Sequence, residues 1–268
     1  MTDHRPTTPA PGPELRNGDL FEDVILTQER FEPASWSRPL DEQIRLLQDV
    51  HLPGIVVDAD YQATRVKQPL AVHRVRVAVP KLAYLAHRLG QDDPFTRIGV
   101  LIEQVCELLD EQRQGKFTHY RKGQLLPNRI QVIPELTARR IALEESVPGD
   151  ILILDVDLGN TYAGWTPRRA RGQIIHSPDQ LALTSVDIGW ILLLNPDRFQ
   201  CNTDLSVDSV AEEYFSEDRG WVTVLFYYYR GGKLEFGYRW NRRAYFDSGA
   251  AIATLGTEQP EGAEVATV

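Results

Sequence analysis

The sequence predicts an α+β domain, with a helix-rich N-terminal half and an antiparallel strand-rich C-terminal half ending in a β-hairpin. Three observations predict it. Apolar residues recur at helical spacing as far as about Ser146, and after Pro148 and Gly149 the pattern changes to short β-rich runs. The stretch Trp221 to Trp240, WVTVLFYYYRGGKLEFGYRW, sets Gly231 and Gly232 between two such runs, and glycine accepts the positive φ of a two-residue hairpin turn. Helices and strands are segregated rather than alternating, which separates α+β from a regular βαβ fold. The expected segments are a disordered arm at 1–18, a helix-rich segment at 19–147, a β-rich segment at 148–256 and a frayed tail at 257–268. The two middle segments are read as one composite domain.

In the arm, Pro6, Pro9, Pro11 and Pro13 stand too close together for helix or sheet. Phe21 to Leu26 reads as a short strand. Ser37 is expected to cap a helix through Val50, with Leu40, Ile44 and Leu47 on one stripe. Ile55 to Val57 reads as a short buried strand running into Asp58 and Asp60. Val75, Val77 and Val79 alternate with Arg74 and Arg76, the period of a strand with one wet face. Pro80 opens a helix carrying Leu82, Leu85, Ala86 and Leu89, and Asp93 and Pro94 begin a longer one to about Gln112.

Next comes a basic loop with a short strand near Phe117 to Tyr120, then a helix from Pro134 through Leu136, Arg140 and Leu143 to Ser146. Ile151 to Leu158 is a strand. Gln173 to His176 and Leu181 to Thr184 read as short strands, Ile188 to Leu194 as a long buried one, and Val207, Val210, Ala211 and Tyr214 as a helix.

A turn at Gly231 and Gly232 sets the hairpin register, pairing Arg230 with Lys233, Tyr229 with Leu234 and Tyr227 with Phe236. One face then carries Trp221, Leu225, Tyr227, Tyr229, Leu234, Phe236, Tyr238 and Trp240, and suits a core wall. The other mixes Phe226 and Tyr228 with Glu235 and Arg239. There Tyr228, Arg230, Lys233 and Arg239 suit stacking on a nucleic-acid strand and neutralising it.

The chain has 268 residues, 42% hydrophobic and 25% charged, enough for a sizeable core. No apolar run approaches the roughly 18 residues of a membrane span, the N-terminus has no apolar signal stretch, and a cytoplasmic address with no membrane partner is expected. Cys106 and Cys201 are expected as free thiols. The net charge of −9 speaks against indiscriminate binding to polyanions, but the charge is segregated. No acid occurs from Gln112 to Pro134 or from Leu158 to Pro178, and Arg230 to Arg243 holds Glu235 alone against its cations. These segments supply the candidate nucleic-acid contacts Arg121, Lys122, Arg129, Arg168, Arg169, Arg171, Arg230, Lys233 and Arg239. The run TPRRAR at Thr166 to Arg171 is expected to form an exposed turn presenting its arginines.

Three functional classes follow. The leading expectation is a noncatalytic binding or assembly protein that engages nucleic acid or an acidic protein partner, with no cofactor. The alternative is a magnesium-dependent nuclease: Asp155 and Asp157 end a strand two residues apart and so share a face, Asp58 and Asp60 repeat the spacing, and paired carboxylates can hold a divalent cation. The third is a structural homo-oligomer subunit joined through the hairpin's exposed edge or aromatic face. The histidines are too scattered for a helical zinc site.

Overall fold

The computed structural model describes residues 36–71 and 74–255. The expected arm, the strand at Phe21 to Leu26 and the tail lie outside the described residues. The architecture is mixed α+β, built on a sheet of order β1-β4-β9-β6-β7-β8-β2. Its strands are β1 (Val75–Pro80), β2 (Phe117–His119), β3 (Ile130–Val132), β4 (Ile151–Leu158), β5 (Gln180–Ala182), β6 (Ser206–Ser216), β7 (Gly220–Arg230), β8 (Lys233–Trp240) and β9 (Ser248–Thr254). The helices are α1 (Leu40–Leu46), α2 (Ala59–Lys67), α3 (Leu82–Arg88), α4 (Ile98–Arg113), α5 (Pro134–Ser146), α6 (Pro167–Ile175) and α7 (Ser185–Leu194).

The pairing runs across the whole described chain. β1 pairs with β4, β3 with β6 and β2 with β8, so strands before and after residue 148 share one sheet. Two pairs, β2 with β8 and β6 with β9, are parallel, so the strand-rich half is not purely antiparallel, and β9 follows the hairpin. Along β9, Ala251 and Ala253 join the main core while Ala250 and Ile252 join a second one. Alternate residues of a strand face opposite sides, so the sheet is covered on both. The main core includes α4 and α7; the second includes Leu136 of α5 with Ala170 and Ile174 of α6.

The hairpin has the expected register, from Arg230 opposite Lys233 to Thr223 opposite Trp240. Gly231 and Gly232 take φ of +60° and +82°. Leu225, Tyr227, Leu234 and Phe236 are buried in the main core, so this part of the aromatic face is a core wall, as expected. Along the hairpin's outer edge, β2 pairs with β8 over Leu234 to Phe236 and covers that part of it.

Several elements differ from expectation for identifiable reasons. Ile188 to Leu194 is helical, the greater part of α7, and every residue of that helix is buried; a helix apolar on all sides carries no period. Its start is a capping box in which Thr184 Oγ1 accepts from the Asp187 amide and the Asp187 carboxylate accepts from the Thr184 amide. Val207 to Tyr214 belongs to strand β6. The register of β6 against β7 shifts between Ser209 and Tyr214, and such an irregularity breaks the two-residue period. Gln173 to His176 ends helix α6. Ile55 to Val57 forms no strand, and Asp58 instead caps α2 by accepting the Tyr61 amide at 2.8 Å. Ser37 caps nothing; its hydroxyl bonds the Arg38 carbonyl, and α1 follows Pro39 without a side-chain cap.

The outer edge of β1 is closed by one side chain. Gln43 is fully buried, accepts the Ala78 amide at 3.1 Å and donates to the Arg76 carbonyl at 3.3 Å, standing in for the peptide group of a neighbouring strand. Gln43 Nε2 also donates to the Arg38 carbonyl at 2.8 Å. Gln43→Leu keeps the volume but strips all of these bonds, and a loss of about 2 kcal/mol in urea unfolding is expected. A change below about 0.5 kcal/mol would show that water replaces the amide there.

Candidate nucleic-acid interface

Asp155 and Asp157 share a face of β4 as their spacing predicts, but that face presents them to arginines. Arg76, the cross-strand partner of Asp155, donates Nε to Oδ1 at 2.7 Å and Nη2 to Oδ2 at 3.0 Å, and Arg65 of α2 adds Nη2 to Oδ2 at 3.2 Å. Asp157, 1% exposed, meets Arg74 Nη1 at 2.6 Å and accepts the amides of Asn160 and Thr161 at 2.7 and 2.8 Å. These donors occupy the oxygens that a metal would need. Asp58 and Asp60 lie at the start of α2, not on a strand. Asp58 is about 10 Å along that helix from Arg65, the residue that reaches Asp155. Among the described residues, no group of three or more His, Cys, Asp or Glu is placed to hold a metal ion.

The three basic segments meet at β8. Lys116 and the β2 residues after it run alongside the strand, with Lys116 O accepting from Leu234 N at 3.0 Å and Tyr120 N donating to Phe236 O at 3.0 Å. At the far end, Arg168 N donates to Asn241 O at 2.8 Å. The TPRRAR run is therefore the first turn of α6 rather than an exposed turn: Thr166 caps it by accepting Arg169 N at 3.2 Å, and Pro167 fills the first helical position.

The candidate cations divide by burial. Arg171 is buried, pairs with Glu213 and donates Nε to the Val210 carbonyl at 2.8 Å. Arg239 is buried against Asp208, with Nε on Oδ1 at 2.6 Å. Both are structural ion pairs under the surface. Arg168, Arg169, Lys122, Arg230 and Lys233 are exposed, with Arg169 lying over the Trp165 ring at 4.5 Å.

On the hairpin face that carries Phe226 and Tyr228, cations and rings alternate in a continuous line. Arg243 lies over Tyr245 at 5.5 Å, and Arg239 lies over both Tyr245, at 4.6 Å, and Phe226, at 4.3 Å. Phe226 stacks on Tyr228 at 4.6 Å and 7°, and Arg230 lies over Tyr228 at 5.4 Å. Gly237 faces Phe226 across the strands and Tyr120, 43% exposed, leans over the gap. Asp208, paired with Phe226 across β6 and β7, fixes Arg239 from below. Burial, then the Glu235 carboxylate, pushes the Tyr228 phenol up, so its ring stays neutral at physiological pH. Tyr245 and Phe226 are not among the contacts expected from the sequence; for Tyr245 the signal is the RRAYF run just past β8, where rings follow two arginines after one alanine.

Arg121 and Arg129 lie elsewhere. They line a groove of about 460 Å³ together with Tyr214 and Tyr238, residues on the opposite face of the sheet from Phe226. Arg121 lies over the Tyr238 ring at 4.5 Å, and Arg129 pairs with the exposed Glu217. The basic segments thus converge on one strand while presenting their cations to both of its faces.

No family model, curated protein or solved structure matches the chain.

Proposed function

We propose that the protein is a noncatalytic binding module for single-stranded nucleic acid, with the Phe226 and Tyr228 face of β7 and β8 as its contact surface. The observation that carries this reading is the line of alternating rings and guanidinium groups from Arg243 to Arg230, to which all three acid-poor segments are tied through β8. Bases stack on aromatic faces whatever their sequence, and the exposed Arg230 and Arg243 at the two ends of the line neutralise phosphates, while the buried Arg239, paired with Asp208, holds the rings between them. Phe226 and Tyr228 stand on a paired strand and Arg239 is locked by Asp208, so little ordering cost remains for binding there. A net charge of −9 does not prevent this, because at physiological salt charges more than about 8 Å away are largely screened and the local cations dominate.

Fluorescence anisotropy with labelled single-stranded DNA, RNA and duplex at two salt concentrations tests the reading. Single strands are expected to bind more tightly than duplex. Tyr228→Ala should weaken that binding about tenfold, the value of one stacked base, and Arg243→Ala should lower the salt slope by about one. An acidic protein partner would instead depend on the arginines and not on the Tyr228 ring. Absence of strand binding at low salt, or binding that ignores Tyr228→Ala, would overturn the proposal.

A further inference from the structure

The groove lined by Arg121, Arg129 and Tyr238 is a second site whose fittings differ from those of the strand face. Its floor is formed by Tyr214 and Tyr238, with ring centroids 5.1 Å apart. The guanidinium over Tyr238 is held in place, since Arg121 Nη1 donates to Gln124 Oε1 at 3.1 Å and the Arg121 amide donates to His119 Nδ1 at 3.1 Å. The Gly123 amide donates to Glu103 Oε1 at 2.7 Å, which ties the same loop to α4. The Ser216 hydroxyl bonds both the Tyr238 hydroxyl, at 3.0 Å, and the Asp218 carboxylate, which anchors that acid at the groove. Glu217 pairs with Arg129 while 77% of its side chain is exposed. A pair so open has little net strength, and a ligand can exchange with either partner.

Each fitting selects a chemical group. A guanidinium already laid on a tyrosine stacks against planar rings, the Gln124 carboxamide, its oxygen taken by Arg121 and Tyr214, offers its NH2 to a ring acceptor, and carboxylates accept hydrogen bonds from a vicinal diol. The second arginine suits one phosphate, but two carboxylates at the same groove disfavour a polyphosphate. A volume of about 460 Å³ falls in the range of sites that enclose a small organic ligand. We propose that this groove binds one ribonucleoside unit, its base against Arg121 and Gln124, its ribose hydroxyls on Asp218 and Glu217, and a single phosphate at Arg129. The site does not depend on the strand-binding reading, because it uses other residues on the other face of the sheet.

Isothermal titration of the full chain with AMP, GMP, CMP and UMP, and with their 2′-deoxy counterparts, tests the assignment. At least one ribonucleotide should bind, with its deoxy form about tenfold weaker for the loss of a charge-assisted hydrogen bond. Asp218→Asn should remove that preference, and Arg121→Ala should weaken both forms about tenfold. The exposed Asp218 and the partly buried Arg121 belong to neither core cluster, and unchanged thermal unfolding of both variants verifies that the fold is intact. Tyr228→Ala, which addresses the strand face, should leave these titrations unchanged. An RNA tetranucleotide binding more tightly than the free nucleotide would assign the unit to a strand, and the reverse order would assign it to a free nucleotide. Absence of heat for all four ribonucleotides at millimolar concentration, equal affinity for ribose and deoxyribose forms, or indifference to Arg121→Ala would overturn the proposal.

Discussion

Arg140→Met is expected to destabilise the protein by about 3–5 kcal/mol, because it leaves two buried carboxylates without their shared cation. Arg140 is 2% exposed and stands between Glu144, at 2.7 Å from its Nε, and Asp187, at 2.9 Å from Nη2. Burial alone would lower its pKa, but the Asp187 and Glu144 carboxylates outweigh that and raise it, so the cation is fully charged. Each acid does a second task. Glu144 accepts the amides of Leu82 and Ala83 at 2.8 and 3.0 Å and so caps α3, whose preceding residue, Lys81, offers no side-chain cap. Asp187 completes the capping box of α7. The guanidinium therefore ties α5 to the start of α7 through Asp187, and within α5 it steadies Glu144, the carboxylate that holds the start of α3. For a chain of this length the loss corresponds to a fall in melting temperature of about 5–10 °C, measurable by scanning calorimetry. Arg140→Lys keeps the charge without the fork and should recover only part of it. A fall under about 1 kcal/mol for Arg140→Met would mean that the acids take up protons or water at no cost.

Arg140 also shows how much was legible in advance. Leu136, Arg140 and Leu143 fall on one helical stripe, so an arginine at a core position was visible; that it met Asp187 across the fold was not, since ion pairing over such separations depends on topology. The hairpin was legible down to its register because its turn and both strands lie within one local stretch. By composition most of α7 reads as a strand, yet the string TSVD at Thr184 to Asp187 spells the capping box that opens it as a helix. β9 gave no strand signal, being built of Gly249, Ala250, Ala251 and Ala253 around Ile252. Its small residues answer to tertiary crowding: the Gly159 carbonyl oxygen lies only 2.0 Å from where a Cβ on Gly249 would stand. The same limit governs the candidate site. Charge segregation marked the basic segments, but only the sheet decided that Arg171 and Arg239 would be buried against Glu213 and Asp208 while Arg230 and Arg168 reached the surface.

Glu212→Gln is expected to stabilise the protein above neutral pH by about 3 kcal/mol and to flatten its stability between pH 4.5 and about 7. Glu212 on β6 is fully buried, accepts the Ser185 amide at 2.9 Å and bonds the Ser209 hydroxyl, with Asp187 adding like charge. Burial is the main cause of its displacement, which lifts the carboxyl from its ordinary 4.5 to about 7. Within that interval the folded chain keeps a proton that the unfolded chain releases, so stability falls as pH rises and reaches its lower plateau once the folded carboxyl ionises. Below 4.5 both states hold the proton and the cost vanishes. Glutamine retains the acceptor for Ser185 and carries no charge at any pH, so the variant and the parent should converge near pH 4 and separate toward pH 8. Urea unfolding at intervals across that range measures the difference. Parallel curves for the two proteins would mean that Glu212 titrates as it does in the unfolded chain, with Ser185 and Ser209 compensating fully for its burial.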